Sequence, residues 1–248
     1  MMARNQGEDP VPEEPNRGTT QHVFLDLDRT LWDFESNSHQ ELTHLYRHHG
    51  LEGHGVEAAE EFIRVYKTVN EDCWRRYTNN EITKAQLREE RFARTLHHFG
   101  IDDPRLARAV GDDYIRNSPY RTILIPGSVD LLDHLQKRST LHIITNGFDE
   151  VQHTKLDQSG LGKYFDQVIT SEIAGAKKPS RKIFEYALRQ TEANVDESVM
   201  IGDDLATDIE GAATVGMKTI YFNPAGIPHD IAVWKEVKRL EEIKRILP

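Results

Sequence analysis

The chain has 248 residues, 38% of them hydrophobic and 29% charged, with a formal net charge of −10 and a single cysteine. That length suits one elaborated domain, or a core domain with a smaller companion. The acidic balance argues against non-specific nucleic-acid binding, and a lone Cys73 excludes an intrachain disulfide or a cysteine zinc site.

Residues 1–20, MMARNQGEDPVPEEPNRGTT, are rich in Pro, Glu and Gly and read as a disordered tail. No apolar run reaches membrane-spanning length and no signal-type hydrophobic segment opens the chain. Neither a membrane nor a nucleic acid is therefore an expected partner, and the expected location is the cytoplasm.

The first apolar run, HVFLDLD (22–28), predicts a buried strand whose end carries Asp26 and Asp28. Side chains two apart on a strand share a face, so the two carboxylates should converge on one site at its carboxyl end. Their repulsion has to be offset by a metal ion, a proton or a basic neighbour. Residues 35–118 are helical in pattern throughout, punctuated by Asn79-Asn80 and Gly100. An all-helical insertion there would stand over the paired acids as a cap domain, leaving 21–34 and 119–248 as the core domain. Within the insertion Cys73 reads as a small apolar packing residue. His44 with His48, and His97 with His98, lack an adjacent carboxylate at ligand spacing and read as solvated faces.

Further apolar runs at 141–147, 166–171, 198–204 and 218–223 alternate with helical patterns at 129–138, 150–160, 180–190 and 205–216. Such alternation gives βαβ units and an α/β fold, a Rossmann-like doubly wound parallel sheet with a site at its strand ends. Those ends carry Thr145-Asn146-Gly147, then Lys177-Lys178-Pro179 after the 166–171 strand, then Gly202-Asp203-Asp204 with Asp208 a turn later. A carboxylate nucleophile, a second acid, a hydroxyl, a lysine and a further acid pair suit phosphoryl transfer through an aspartyl-phosphate. A carboxylate attacks phosphorus only when the phosphate's charge is screened, which Mg²⁺ and a lysine accomplish together. Mg²⁺ takes hard oxygen ligands and keeps several waters, so two or three carboxylates suffice. An Asp at a strand end also serves as a turn or helix cap, and Asp204 is open to either reading.

DLDRT (26–30), IITNG (143–147), KKPSRKIF (177–184) and GDDLATD (202–208), in that order, resemble the four motifs of the haloacid dehalogenase-like (HAD) hydrolases. The insertion after the first motif lies where that superfamily carries its type-1 helical cap. The resemblance implies Asp26 as nucleophile and metal ligand, and Asp28 as general acid/base with its carbonyl on the metal. Thr145 and the N–H groups around Asn146 would hold the phosphate, and Lys178 would pair with Asp26 and the phosphoryl oxygens. Asp203 would complete the Mg²⁺ shell, with Asp208 behind it or holding a metal-bound water. Lys177 would be solvated, and Arg29, where relatives often carry Gly, would face cap, substrate or solvent.

Dehalogenases of the superfamily lack the second carboxylate, because no leaving oxygen needs a proton, so Asp28 points to phosphate chemistry. NEDCWRRYTNNEITKAQLREERF (70–92) resembles the cap segment of the pyrimidine 5′-nucleotidases, with Trp74, Tyr77, Ile82, Thr83, Arg91 and Phe92 at matching spacing. LWDFESN (31–37), residues 145–161 and RLEEIKRIL (239–247) match as well. This resemblance implies a small phosphate ester, a nucleoside monophosphate, as substrate. A phosphatase or phosphomutase of the same fold acting on a sugar phosphate or phosphoglycolate, or ligand binding without turnover, stand as alternatives. Trp74 and Tyr77 would either stack on the base or pack inside the cap.

Overall fold

The computed structural model describes residues 20–248, and the expected N-terminal tail lies outside them but for Thr20. Strands β1 (His22–Leu25), β2 (Thr140–Thr145), β3 (Phe165–Thr170), β4 (Ser198–Gly202), β5 (Lys218–Phe222) and β6 (Lys235–Val237) form one sheet in the order β3-β2-β1-β4-β5-β6. All pairings are parallel. β1 lies between β2 and β4, and its Val23, Phe24 and Leu25 have no exposed surface. A strand covered on both faces needs an unbroken apolar run rather than an alternating one, which is what β1 supplies.

Alternation along β1 feeds two cores. Val23 and Leu25 pack with Leu131, Ile143, Ile201 and Ile220 on one face. Phe24 packs with Ile144, Met200, Ile183 and Phe184 on the other. The sheet is therefore a middle layer between helices, the doubly wound arrangement expected.

Between β1 and β2 come helices α1 (Phe34–His48), α2 (Ala59–Thr78), α3 (Lys84–His98) and α4 (Pro104–Asn117). Thr83 and Gln86 form a reciprocal cap that starts α3, and Asp103 accepts from the first N–H groups of α4 ahead of Pro104. The four helices bury a core of their own, with Leu42, Phe62, Tyr66, Phe92, Val110 and Tyr114. The chain leaves for this insertion and returns from it side by side. Asp33 N–H donates to Ile123 O (3.0 Å) and Ile125 N–H to Leu31 O (2.9 Å), around an antiparallel Trp32–Leu124 bridge. Asn37 caps this ribbon, its side chain bonding both the carbonyl and the N–H of Ile123.

The rest of the core layers are α5 (Ser128–Leu135), α6 (Asp149–Gln158), α7 (Ser171–Ala174) and α8 (Arg181–Gln190), then a π-type turn at Leu205–Glu210 running into α9 (Gly211–Ala213). Departures from expectation include two boundaries and one added strand. The first strand stops at Leu25, because Leu31 and Trp32 N–H turn back onto Leu27 O. The helix expected over 205–216 begins with the π-type turn and ends at Ala213. β6 was not foreseen, since Lys-Glu-Val offers no apolar run.

His142 on β2 has no exposed surface, bonds His22 Nδ1 through its Nε2 (3.1 Å), and is pushed down to about 4 by burial and by His22. Its folded value lies below the ordinary 6.5, so its stabilising contribution is complete above pH 6.5 and is lost as pH falls towards 4. The stability gap between wild type and His142→Leu, read from urea midpoints, should shrink by roughly 3 kcal/mol between pH 7 and 4. A gap that does not change with pH would refute this.

Candidate active site

Asp26 follows β1 directly, and its N–H still bonds Ile201 O of β4 (2.9 Å), which fixes its carboxylate at the sheet's carboxyl end. The Lys178 ammonium beside it is 2% exposed and spends all three protons: on Asp26 Oδ1 (2.5 Å), Asp208 Oδ1 (2.6 Å) and Ile144 O (2.9 Å). Asn146 locks the Lys178 backbone, donating to its carbonyl (2.9 Å) and accepting from its N–H (2.8 Å). Asp208 reaches Lys178 because Gly202 has no side chain: a Cβ there would lie 2.2 Å from Asp208 Oδ2. Thr30, fully buried, donates to Asp203 Oδ1 at 3.1 Å.

The cluster holds three acids against one lysine. Burial pushes Asp26 well up, and Asp208 and Asp203 push the same way against the pull of Lys178. Asp203 is raised to about 7, first by burial and then by Asp208. Burial alone would lower Lys178, but Asp208 and Asp26 override it and hold the ammonium above the ordinary lysine value. The site is therefore short of positive charge, which an added cation would supply.

Asp28 lines the same cavity but is held from the other side. Leu27 between the two acids is fully buried, so the alternation expected of a strand persists although the strand has ended. Gln152 Nε2 donates to Asp28 Oδ2 (2.9 Å) and to Thr145 Oγ1 (2.7 Å), and Lys155 Nζ pairs with Asp28 Oδ1 (2.5 Å). Neither α6 residue was singled out from the sequence. Their one signal is the spacing of three, which puts both on one face of a helix. Thr145 Oγ1 accepts from Gln152 and from Gly147 N–H (3.0 Å), so its own proton stays available to donate.

The cavity, about 500 Å³, is walled by Asp26, Asp28, Thr145, Lys178 and Asp203 on the core side and by Asn70, Trp74, Arg75 and Thr78 of α2 on the other. Arg29 and Phe34 also line it. Arg29 sits at φ 65°, stacks over Phe34 (4.5 Å) and pairs with Glu35 (2.9 Å), which Lys67 of α2 also holds (2.7 Å). Trp74 lies on Phe148 (ring centroids 5.3 Å, 28°) and borders the cavity. Tyr77 does not line it. That ring is 6% exposed, edge-on to Phe148 and under the Lys177 ammonium (3.7 Å). Three residues from Trp74, it packs with Phe148, Ile82 and Leu87 away from the cavity, which corrects the base-stacking expectation for Tyr77 in favour of packing. Lys177 is not simply solvated, for it also donates to Tyr77 O (2.6 Å) and Asn80 Oδ1 (2.8 Å). Asp204 accepts from Thr207 N–H (2.8 Å) and caps the turn that follows, while also edging the cavity.

Asp26, Asp203 and Asp208 each bring a carboxylate oxygen within 4.8 Å of the others. Lys178 and the Asp204 N–H engage both oxygens of Asp208, so Asp26 Oδ2 and Asp203 Oδ2 are the ones left for a cation. Hard, charge-rich oxygens in a buried acidic cluster fit Mg²⁺. The other group of three possible ligands among the described residues is His48 and His49 at the end of α1 with Asp113 of α4, His49 Nε2 lying 2.9 Å from Asp113 Oδ2.

A family model for haloacid dehalogenase-like hydrolases matches residues 20–216. The chain is 34% identical over 229 residues to the pyrimidine 5′-nucleotidase YjjG of Escherichia coli, covering 91% of this chain and 96% of that one. It is 33% identical over 209 residues to a ribulose-1,5-bisphosphate 5-phosphatase of Halopiger xanaduensis, covering 82% and 84%. Among solved structures, the magnesium-bound HAD-hydrolase YfnB of Bacillus subtilis superposes with a TM-score of 0.83 at 28% identity, over 92% of this chain and 99% of that one. A central parallel sheet with acids and a lysine at its strand ends, and a family match over most of the length, lead to one conclusion: the chain belongs to the haloacid dehalogenase-like hydrolases.

Proposed function

We propose that the protein is a Mg²⁺-dependent phosphatase that hydrolyses nucleoside 5′-monophosphates through an aspartyl-phosphate on Asp26. The observation that carries the reading is the pair of acids with separate partners in one cavity: Asp26 on Lys178, and Asp28 on Lys155 and Gln152. A departing alkoxide needs a proton, and Asp28 is the acid placed apart from the nucleophile to give it.

Asp26 Oδ attacks phosphorus while the P–O ester bond breaks and the Asp28 proton passes to the leaving oxygen. Water then attacks phosphorus, Asp28 takes the water's proton, and Asp26 and inorganic phosphate are released. Thr145 Oγ1 donates to a phosphate oxygen. The Asn146 side chain is spent on Lys178, so its main-chain N–H is the group left for the phosphate. Asp26 and Asp203, with the Asp28 carbonyl, would hold Mg²⁺, whose charge would offset that of the phosphoryl group. EDTA should abolish turnover and Mg²⁺ restore it; activity that survives chelation would remove the metal from the account.

Residues 35–118 are read as a cap that selects substrate, because phosphate contacts by the core are common to any monoester. Trp74 has a partner in Phe148 on one side and the cavity on another, the placement of a base-stacking ring. Trp74→Ala should cost on the order of 1–3 kcal/mol in kcat/KM for a nucleotide, and less for p-nitrophenyl phosphate, which has no base to position. Tyr77→Ala should lower stability without shifting that selectivity. The deciding experiment is a screen of UMP, dUMP, dTMP, sugar phosphates and p-nitrophenyl phosphate. Fast sugar-phosphate hydrolysis with all three nucleotides poor would defeat the nucleotidase reading.

A further inference from the structure

We propose that Lys155 and Gln152 are positioning residues that hold the Asp28 carboxylate in line for proton transfer, a proposal that rests on the phosphatase reading above. Asp28 lies past the end of β1, in an isolated bridge with Trp32 that holds its backbone but not its carboxylate. A carboxylate there would turn freely about its side-chain bonds. Two N–H donors from one helix take both of its oxygens instead: Lys155 Nζ on Oδ1 (2.5 Å) and Gln152 Nε2 on Oδ2 (2.9 Å).

Both donors are built in rather than incidental. Gln152 is fully buried and Lys155 is 5% exposed, and a lysine is almost never buried unless paired. Asp28 is the one carboxylate within ion-pair distance of Lys155 among the described residues. Gly147 makes room for the arrangement, since a Cβ there would lie 2.2 Å from Gln152 Nε2. The same Nε2 bonds Thr145 Oγ1, so one amide ties the acid/base to the hydroxyl that meets the phosphate. Lys155 also lies over the Trp32 ring (4.3 Å), which fixes the ammonium's direction of approach. A misplacement of about 1 Å at a reacting group costs on the order of 100-fold in rate, which sets the scale of what such a clamp protects.

The test is a double-mutant cycle with Asp28→Asn, using p-nitrophenyl phosphate, whose good leaving group keeps residual turnover measurable. Lys155→Met should lower kcat by about 10- to 100-fold with KM within about twofold, and Lys155→Arg should recover most of the loss. If Lys155 acts through Asp28, its removal does nothing more once Asp28 is Asn, and the double variant matches Asp28→Asn alone. Losses that multiply in the double variant would show a merely structural lysine and overturn the proposal. Gln152→Met, carried through the same cycle, decides the matter should Lys155→Met not fold. Wild-type protein that hydrolyses no phosphate monoester would instead bring down the phosphatase reading, and the clamp with it.

Discussion

Asp26→Asn is expected to remove ester hydrolysis, with kcat falling on the order of 10⁴-fold or more, while the protein stays folded. The amide has no carboxylate oxygen to offer phosphorus, and general base catalysis by Asp28 does not replace a missing nucleophile. The fold survives because Lys178 keeps Asp208 Oδ1 and Ile144 O as acceptors, so no buried charge is left alone. One fewer acid beside Asp203 and Asp208 also relieves repulsion. Steady-state kinetics with p-nitrophenyl phosphate and a thermal unfolding scan read the two halves separately. Turnover within about 100-fold of wild type would disprove the nucleophile assignment.

Lys178→Met should be damaging in both respects. It strands Asp26 and Asp208, each nearly or wholly buried, without their counterion. Breaking a buried pair by removing one partner costs about 3–5 kcal/mol, and the same substitution removes charge compensation from the reacting phosphate. Mg²⁺ should then raise the unfolding temperature of Lys178→Met more than that of wild type, because the cation takes over part of the lost charge. Lys178→Arg should not rescue: the ammonium bonds three acceptors from one compact atom, which a planar guanidinium cannot reproduce in the same space. Denaturant midpoints equal to wild type for Lys178→Met would contradict the electrostatic account.

The strand-end motifs were readable because each carries its chemistry in a few consecutive residues. Asp26, Thr145, Lys178, Asp203 and Asp208 all came together, because parallel strands must deliver their carboxyl ends to one edge. What escaped notice acts across distance or against pattern. Gln152 and Lys155 meet Asp28 over separations of 124 and 127 residues, and nothing in the helix around them marks an inward lysine. His49 finds its carboxylate at Asp113, so looking only for an adjacent acid missed it. Trp74 and Tyr77 share a helical spacing, and periodicity alone does not say which faces the cavity and which packs away from it. β6 is a charged edge strand with one buried residue, held by pairing with β5 rather than by an apolar run.

The ribbon that joins the helical insertion to the core bears on how such a protein changes over evolutionary time. Its outgoing and returning strands, around Trp32 and Leu124, are hydrogen-bonded neighbours, about 5 Å apart as in any antiparallel pair. Everything between them leaves and returns at one point, where a short turn would also close the chain. Because the two ends lie side by side, a change in the length of the insertion need not alter the register of β1 against β2 and β4, on which the placement of Asp26 depends. On the proposed reading, in which the insertion selects the substrate, substrate preference and bond-breaking are carried by separable stretches of the chain.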